Sequence, residues 1–139
     1  MTDRVFVDSN ILIYAHDRDA RARQKRAGEV LRELWTERTG RLSTQVLQEF
    51  YVNVTRKIKK PLNANAAREV VRTYVPWVGS LITAATVIRA SEIGEMWKLS
   101  FWDAMIVASA EQNEAGLLMT EDLSNGQVIA GVRIVNPFL

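Results

Sequence analysis

Apolar positions along this 139-residue chain change their spacing several times, and each change marks a boundary between elements. Arg4-Val5-Phe6-Val7 is a short apolar run that meets Asp8-Ser9-Asn10, residues that favour turns and helix caps. The pattern predicts a strand ending at Asp8 and a helical segment over residues 11–15. Ala27, Val30, Leu31, Leu34 and Trp35 then recur at helical spacing, with Gly40 as a stop. Leu42-Ser43 reads as a very short second strand. Leu47, Phe50, Tyr51, Val54 and Ile58 form one stripe of a further helix that Pro61 ends. Asn63 or Asn65 caps a helix through Tyr74, ahead of Pro76, and Thr83 opens another through about Trp97. Ser100 caps a helix from Phe101 to about Asn113, with Asp103 at its third position, close to a capping box. Gly116 ends that helix. Leu117-Leu118-Met119 is then a buried strand, and Val132-Arg133-Ile134-Val135 is the last one.

Short apolar strands alternating with helices imply an α/β fold whose parallel sheet is covered on both faces. No repeat, linker or low-complexity segment interrupts residues 1–139, so they read as one domain. Ligands of such sheets bind beyond the carboxyl ends of the strands, where strand order switches. Asp8 and Asp122 both follow apolar strands, which makes that end of the sheet the place to look for chemistry.

Composition narrows the chemistry. The chain is 47% hydrophobic and 24% charged, values of an ordinary globule that exclude disorder, collagen and a coiled-coil rod. A chain of this length buries roughly 68% of its unfolded surface and needs no metal or disulfide to hold it together. It has no cysteine, which removes disulfides, thiolate metal sites and thiol nucleophiles. The single histidine, His16, excludes a zinc site built from several imidazoles and reads as a polar surface residue. Chemistry must run on carboxylates, hydroxyls and bases. Met1-Thr2-Asp3-Arg4 lacks a signal-peptide pattern. The longest uncharged stretch, residues 73–88, carries Pro76, Gly79 and three threonines and cannot serve as a membrane span of about 20 apolar residues. The expected compartment is the cytoplasm.

Net charge is only +2, but it is unevenly spread. Arg18, Arg21, Arg23, Lys25 and Arg26 fall within nine residues, and Arg56, Lys57, Lys59 and Lys60 within five. Each cluster by itself reads as a solvated helix face; together they keep a polyanion partner in view. Of the four tryptophans, Trp35 and Trp97 occupy core-like helix positions, while Trp77 is left open between packing and base stacking.

Four acids stand out, and each has two readings. Asp8 serves either as a helix cap or as a ligand at the strand end. Glu49 lies on the polar side of its helix with Gln45, Asn53 and Arg56, a placement that suits a cleft wall and plain solvent equally. Asp103 caps its helix and complements the positive end of its dipole, or faces a site. Asp122 is a turn residue beside Asn125-Gly126, or a second strand-end ligand.

Taken together the motifs are more specific. Phe6-Val7-Asp8-Ser9-Asn10 with Ile11-Leu12-Ile13-Tyr14-Ala15, Gln48-Glu49-Phe50, Ser100-Phe101-Trp102-Asp103-Ala104 and Thr120-Glu121-Asp122-Leu123 resemble the PIN-domain nucleases. The resemblance runs from Val5 to Phe138 and is greatest to the VapC-type toxins of toxin–antitoxin pairs. It implies a three-layer α/β/α fold with an acidic pocket at the carboxyl end of the sheet. It also implies that Asp8, Glu49, Asp103 and Asp122 bind Mg2+ or Mn2+ and support RNA cleavage, with Ser9, Asn10 and Thr120 supporting the pocket. The implied partners are an RNA substrate, a cognate antitoxin protein and a second copy of the chain in a homodimer.

The residue types suit that chemistry independently. Hard divalent cations take oxygen ligands, and magnesium keeps several waters beside one or two carboxylates. Four carboxylates at one site repel one another unless cations occupy it. Setting them aside leaves 18 basic residues against 12 acids, a surface able to hold RNA around an acidic centre. Arg21, Arg23, Arg26 and Arg56 are the candidates for backbone contacts. The expectation is therefore a metal-dependent endoribonuclease acting as a toxin. Its alternatives are a housekeeping PIN ribonuclease in RNA processing or decay, and a non-catalytic RNA- or protein-binding module on the same fold. A phosphoacceptor domain is disfavoured, because Asp8 is followed by Ser9-Asn10 and not by a second acid.

Overall fold

The protein is described here as a computed structural model covering residues 3–139; Met1 and Thr2, the start of the stretch read above for a signal peptide, lie outside the described residues. Strand β1 (Val5–Val7) leads into α1 (Ser9–Ala15), and a 3-10 turn at Arg18–Ala20 precedes α2 (Ala22–Glu37). Then follow β2 (Gly40–Arg41), α3 (Thr44–Arg56), α4 (Ala64–Tyr74), a 3-10 turn at Val75–Trp77, α5 (Ala84–Trp97) and α6 (Phe101–Gln112). The chain ends with β3 (Leu117–Met119), β4 (Val128–Ile129) and β5 (Val132–Val135).

The sheet order is β2-β1-β3-β5-β4. The first four strands run parallel, and only β4 is antiparallel, as the edge of a hairpin with β5. Successive residues of a strand face opposite sides of a sheet, yet all three residues of β1 are buried. Both faces are therefore covered: α2 and α3 each pack on α1 and α4 packs on α3, while α5 lies along α6, which touches β3 and β5. This is the expected three-layer α/β/α arrangement, with Phe6, Leu12, Phe50, Ile93, Leu118 and Ile134 fully buried at its centre. Arg89 of α5 joins α6 through a bidentate pair with Glu111 at 2.8 and 2.9 Å. Among the described residues, no helix is long and apolar enough to cross a membrane.

Several boundaries differ from the sequence reading, each for a local reason. The second strand is Gly40–Arg41, not Leu42-Ser43. The Leu42 N–H bonds the Trp77 carbonyl at 3.0 Å, and Ser43 turns its hydroxyl back to accept from the Val46 N–H as the cap of α3. Gly40 is not the stop of α2 either. Arg38 ends that helix in the left-handed region (φ 60°), and Gly40 is needed because a Cβ there would stand 2.5 Å from the Trp77 ring. Trp77 is accordingly a core residue, clustered with Trp35 and Tyr74 at 4.8 and 4.9 Å between ring centroids. Helix α3 stops at Arg56, short of Ile58. Strand β4 leaves no trace in the apolar pattern: two residues carry no alternation, and the tight turn that makes it, Ala130-Gly131, has positive φ at both positions (51° and 80°).

Candidate active site

The order β2-β1-β3 places a switch point between β1 and β3, since the chain leaves β1 for one side and returns on the other. The register aligns Val7 with Met119, so the residues just beyond them, Asp8 and Thr120, stand side by side. The Asp8 N–H extends the ladder to the Met119 carbonyl at 3.0 Å. Asp8 is also the N-cap of α1, so the modest structural reading and the functional one hold together.

Asp8 is buried, and each of its oxygens has a partner. Oδ1 accepts from the Ser9 N–H at 2.7 Å, and Oδ2 accepts from the Thr120 hydroxyl at 2.8 Å. Thr120, itself fully buried, accepts in turn from Asn10 Nδ2 at 3.2 Å and from the Asp122 N–H at 3.1 Å. Asn10 Nδ2 also donates to Asp122 Oδ2 at 3.1 Å. Asn10 and Thr120 thus tie the two strand-end acids together, and Ser9 holds Asp8 alone.

The other two acids arrive on helices. Glu49 lies in the middle of α3, and Asp103 occupies the first turn of α6, where its N–H donates to the Ser100 hydroxyl at 3.2 Å. Gln45, one turn before Glu49, reaches both the Glu49 carboxylate and the Trp102 carbonyl at 3.4 Å and ties α3 to the start of α6. All four acids line one cleft of about 540 Å³.

Electrostatics agree with this grouping. Burial pushes the Asp8 carboxyl up to about 7, offset in part by the hydrogen bonds from Thr120 and Ser9 and reinforced by the charges of Glu49 and Asp122. Burial also raises Asp122, with the Asn10 bond opposing and the charge of Asp103 adding to the rise. Repulsion therefore connects the acids across the cleft. Among the described residues, no three acidic or histidine side chains close on a single point as a preformed metal cage would. The donor set still fits a magnesium or manganese ion, which needs only one or two carboxylates and completes its shell with water. Asn10 Oδ1, buried at the cleft without a hydrogen-bond partner, is a further oxygen acceptor.

Some residues stand apart from the sequence reading. His16 is no polar surface residue: it is half-buried and packs edge-on against Phe50 at 5.6 Å, and burial lowers its pKa. Arg21 and Arg56 are exposed and outside the cleft; the basic side chain that lines it is Lys57. Arg23 pairs with Glu121 at 3.3 Å, and Arg26 donates to the Pro137 carbonyl at 2.9 Å. Trp102, not Trp77, is the tryptophan at the cleft, 64% exposed beside Asp103. Asn53 and Lys57 follow Glu49 at intervals of four, a spacing that marks them as its neighbours on the same side of α3.

The fold is similar to that of a toxin–antitoxin complex from Klebsiella pneumoniae (TM-score 0.67, 21% identity, covering 96% of this chain and 97% of that one). It is also similar to VapBC2 from Rickettsia felis bound to a DNA fragment from its promoter (TM-score 0.59, 17% identity, covering 94% and 96%). No curated protein sequence matches the chain. Residues 5–124 match the model of the PIN domain, a span that holds β1 through β3 and all four acids. The chain belongs to the PIN-domain family, a family of nucleases.

Proposed function

We propose that this protein is a metal-dependent endoribonuclease that hydrolyses RNA phosphodiester bonds and acts as the toxin of a toxin–antitoxin pair. The observation that carries the reading is the delivery of Asp8, Glu49, Asp103 and Asp122 from four separate elements into one cleft. Asp8, Asp103 and Asp122 would hold Mg2+ or Mn2+, with Glu49 completing the acidic wall. Bound there, such an ion lowers the pKa of a water and neutralises charge building on the phosphate. The chain supplies the rest. Thr120, Asn10 and Ser9 fix the orientations of the strand-end carboxylates, and Lys57 offers a cation to a backbone phosphate at the cleft wall.

The toxin assignment is supported by likeness to the two toxin–antitoxin structures. In this reading the protein is cytoplasmic and homodimeric, and an antitoxin segment lays a basic side chain across the acidic cleft, where an arginine can pair bidentately with carboxylates. Purified protein should cut RNA with magnesium or manganese and stop in excess EDTA; undiminished cleavage in EDTA overturns the metal mechanism. Expression with and without the neighbouring gene, followed by mapping of RNA ends, separates a toxin from a housekeeping nuclease. Only a toxin arrests growth alone and is silenced by its neighbour.

A further inference from the structure

We propose that Tyr14, Arg23 and Glu121 form a clamp that positions Asp122 in the cleft, an inference that rests on the metal-site reading above. Glu121 and Asp122 are consecutive, yet only Asp122 lines the cleft. The Tyr14 hydroxyl donates to Glu121 Oε1, and Arg23 Nε donates to Oε2 at 3.3 Å, so each oxygen is held by a different helix. Asn10 and Tyr14 stand one turn apart on α1. That single helix therefore holds Asp122 through Asn10 and Glu121 through Tyr14, a two-point grip on the segment after β3.

The clamp is braced from the far end of the chain. The Arg23 guanidinium lies 5.6 Å from the centroids of both the Tyr14 and Phe138 rings, which meet edge-on at 5.2 Å. Arg26 holds the adjoining Pro137 carbonyl. Phe138 and Pro137 lie beyond residue 124, where the family match ends, so this brace is carried by the chain's own C-terminal segment. Without Glu121's two bonds, Asp122 would be held only by Asn10 at its carboxylate and by the Thr120 hydroxyl at its N–H, in a turn whose following residues 124–128 are exposed. Groups that orient a ligand from behind in this way change metal affinity by about 10–100-fold when removed.

The test uses Tyr14→Phe, which keeps the ring packing, and Glu121→Ala, with Glu121→Gln as the conservative variant. Three quantities are read: the Mn2+ dissociation constant by calorimetry, amide exchange at residues 121–123 without metal, and kcat and KM on RNA. Tyr14→Phe and Glu121→Ala should weaken Mn2+ binding about tenfold, speed exchange at 121–123 but not in α5 or α6, and lower kcat with KM unchanged. Glu121→Gln should recover part of each effect. Wild-type exchange at 121–123 in both variants overturns the clamp, whatever the metal data. Faster exchange with wild-type Mn2+ affinity overturns its role in positioning Asp122. A wild type that binds no Mn2+ and cuts no RNA overturns the nuclease reading, and the positioning role with it.

Discussion

The Thr120 hydroxyl donates to Asp8 Oδ2 at 2.8 Å and accepts from two groups that belong to or hold Asp122. One oxygen atom thus links the acids that follow two neighbouring strands. Replacing Thr120 with valine keeps the volume and removes that link. Thr120→Val should cost about 1–3 kcal/mol, because Asn10 Nδ2 and the Asp122 N–H lose an acceptor in a buried setting. It should also push the Asp8 carboxyl further up, since the lost bond favours the ionised form. Manganese titrations across pH check this: the midpoint of affinity must move to higher pH, and an unmoved midpoint refutes it.

The raised Asp8 carboxyl sets the pH behaviour of the metal-free protein. Its folded value of about 7 lies above its ordinary 3.8, so the folded state binds more protons between them. The stability contributed by this group is full below about pH 4 and is lost as pH rises to about 7, on the order of 4 kcal/mol in all. Denaturation in chelator from pH 4.5 to 8 should therefore show a decline that is shallower in Asp8→Asn, where the raised Asp122 carboxyl still contributes. Equal slopes in the two proteins would contradict it.

Metal reverses that decline, because ligation needs the ionised carboxylates. Ions that bind only the folded form stabilise it by about 2.7 kcal/mol at a hundredfold excess over the dissociation constant. Millimolar magnesium should raise the Tm of the wild type and not of Asp8→Asn or Asp122→Asn. Asp8→Asn should melt higher than wild type without metal. Asp103→Asn gives up charge at a helix N-terminus, which subtracts from any gain. Each of the three substitutions should abolish most RNA cleavage, and so should Glu49→Gln, with double variants far from additive. A wild-type Tm indifferent to metal, with a lower-melting Asp8→Asn, would mean that the acids do not share an ion.

Lys57 lines the cleft wall, whereas Arg23 and Arg26 already have partners within the protein. Lys57→Gln should weaken RNA binding and reduce the slope of log affinity against log salt by about one. Arg26→Gln should alter the slope less. Filter binding at several salt concentrations measures both, and a larger loss from Arg26 would return the RNA path to the first basic cluster.

Gly40→Ala should be destabilising by about 1–3 kcal/mol. Its Cβ would stand 2.5 Å from an indole that Trp35 and Tyr74 hold in place. A thermal melt decides, and an unchanged Tm would mean that the aromatic cluster shifts freely.

Much of this protein was already determined by its sequence. The helices follow from apolar spacing and from Ser43, Asn63, Thr83 and Ser100 as caps, all local causes. Ser43 is the exception among these, because its extended backbone serves a strand end and a helix cap equally. The acids were legible as types at strand ends and helix faces, and the motifs around them carried the family. Tertiary structure decided what depends on distance across the chain. It assigned β2 to Gly40–Arg41, put Trp77 in the core and Trp102 at the cleft, and paired Arg23 with Glu121. Periodicity records which side of an element a residue faces, but a contact such as Thr120 to Asp8, separated by 112 positions, exists only once parallel register has set the two strand ends side by side.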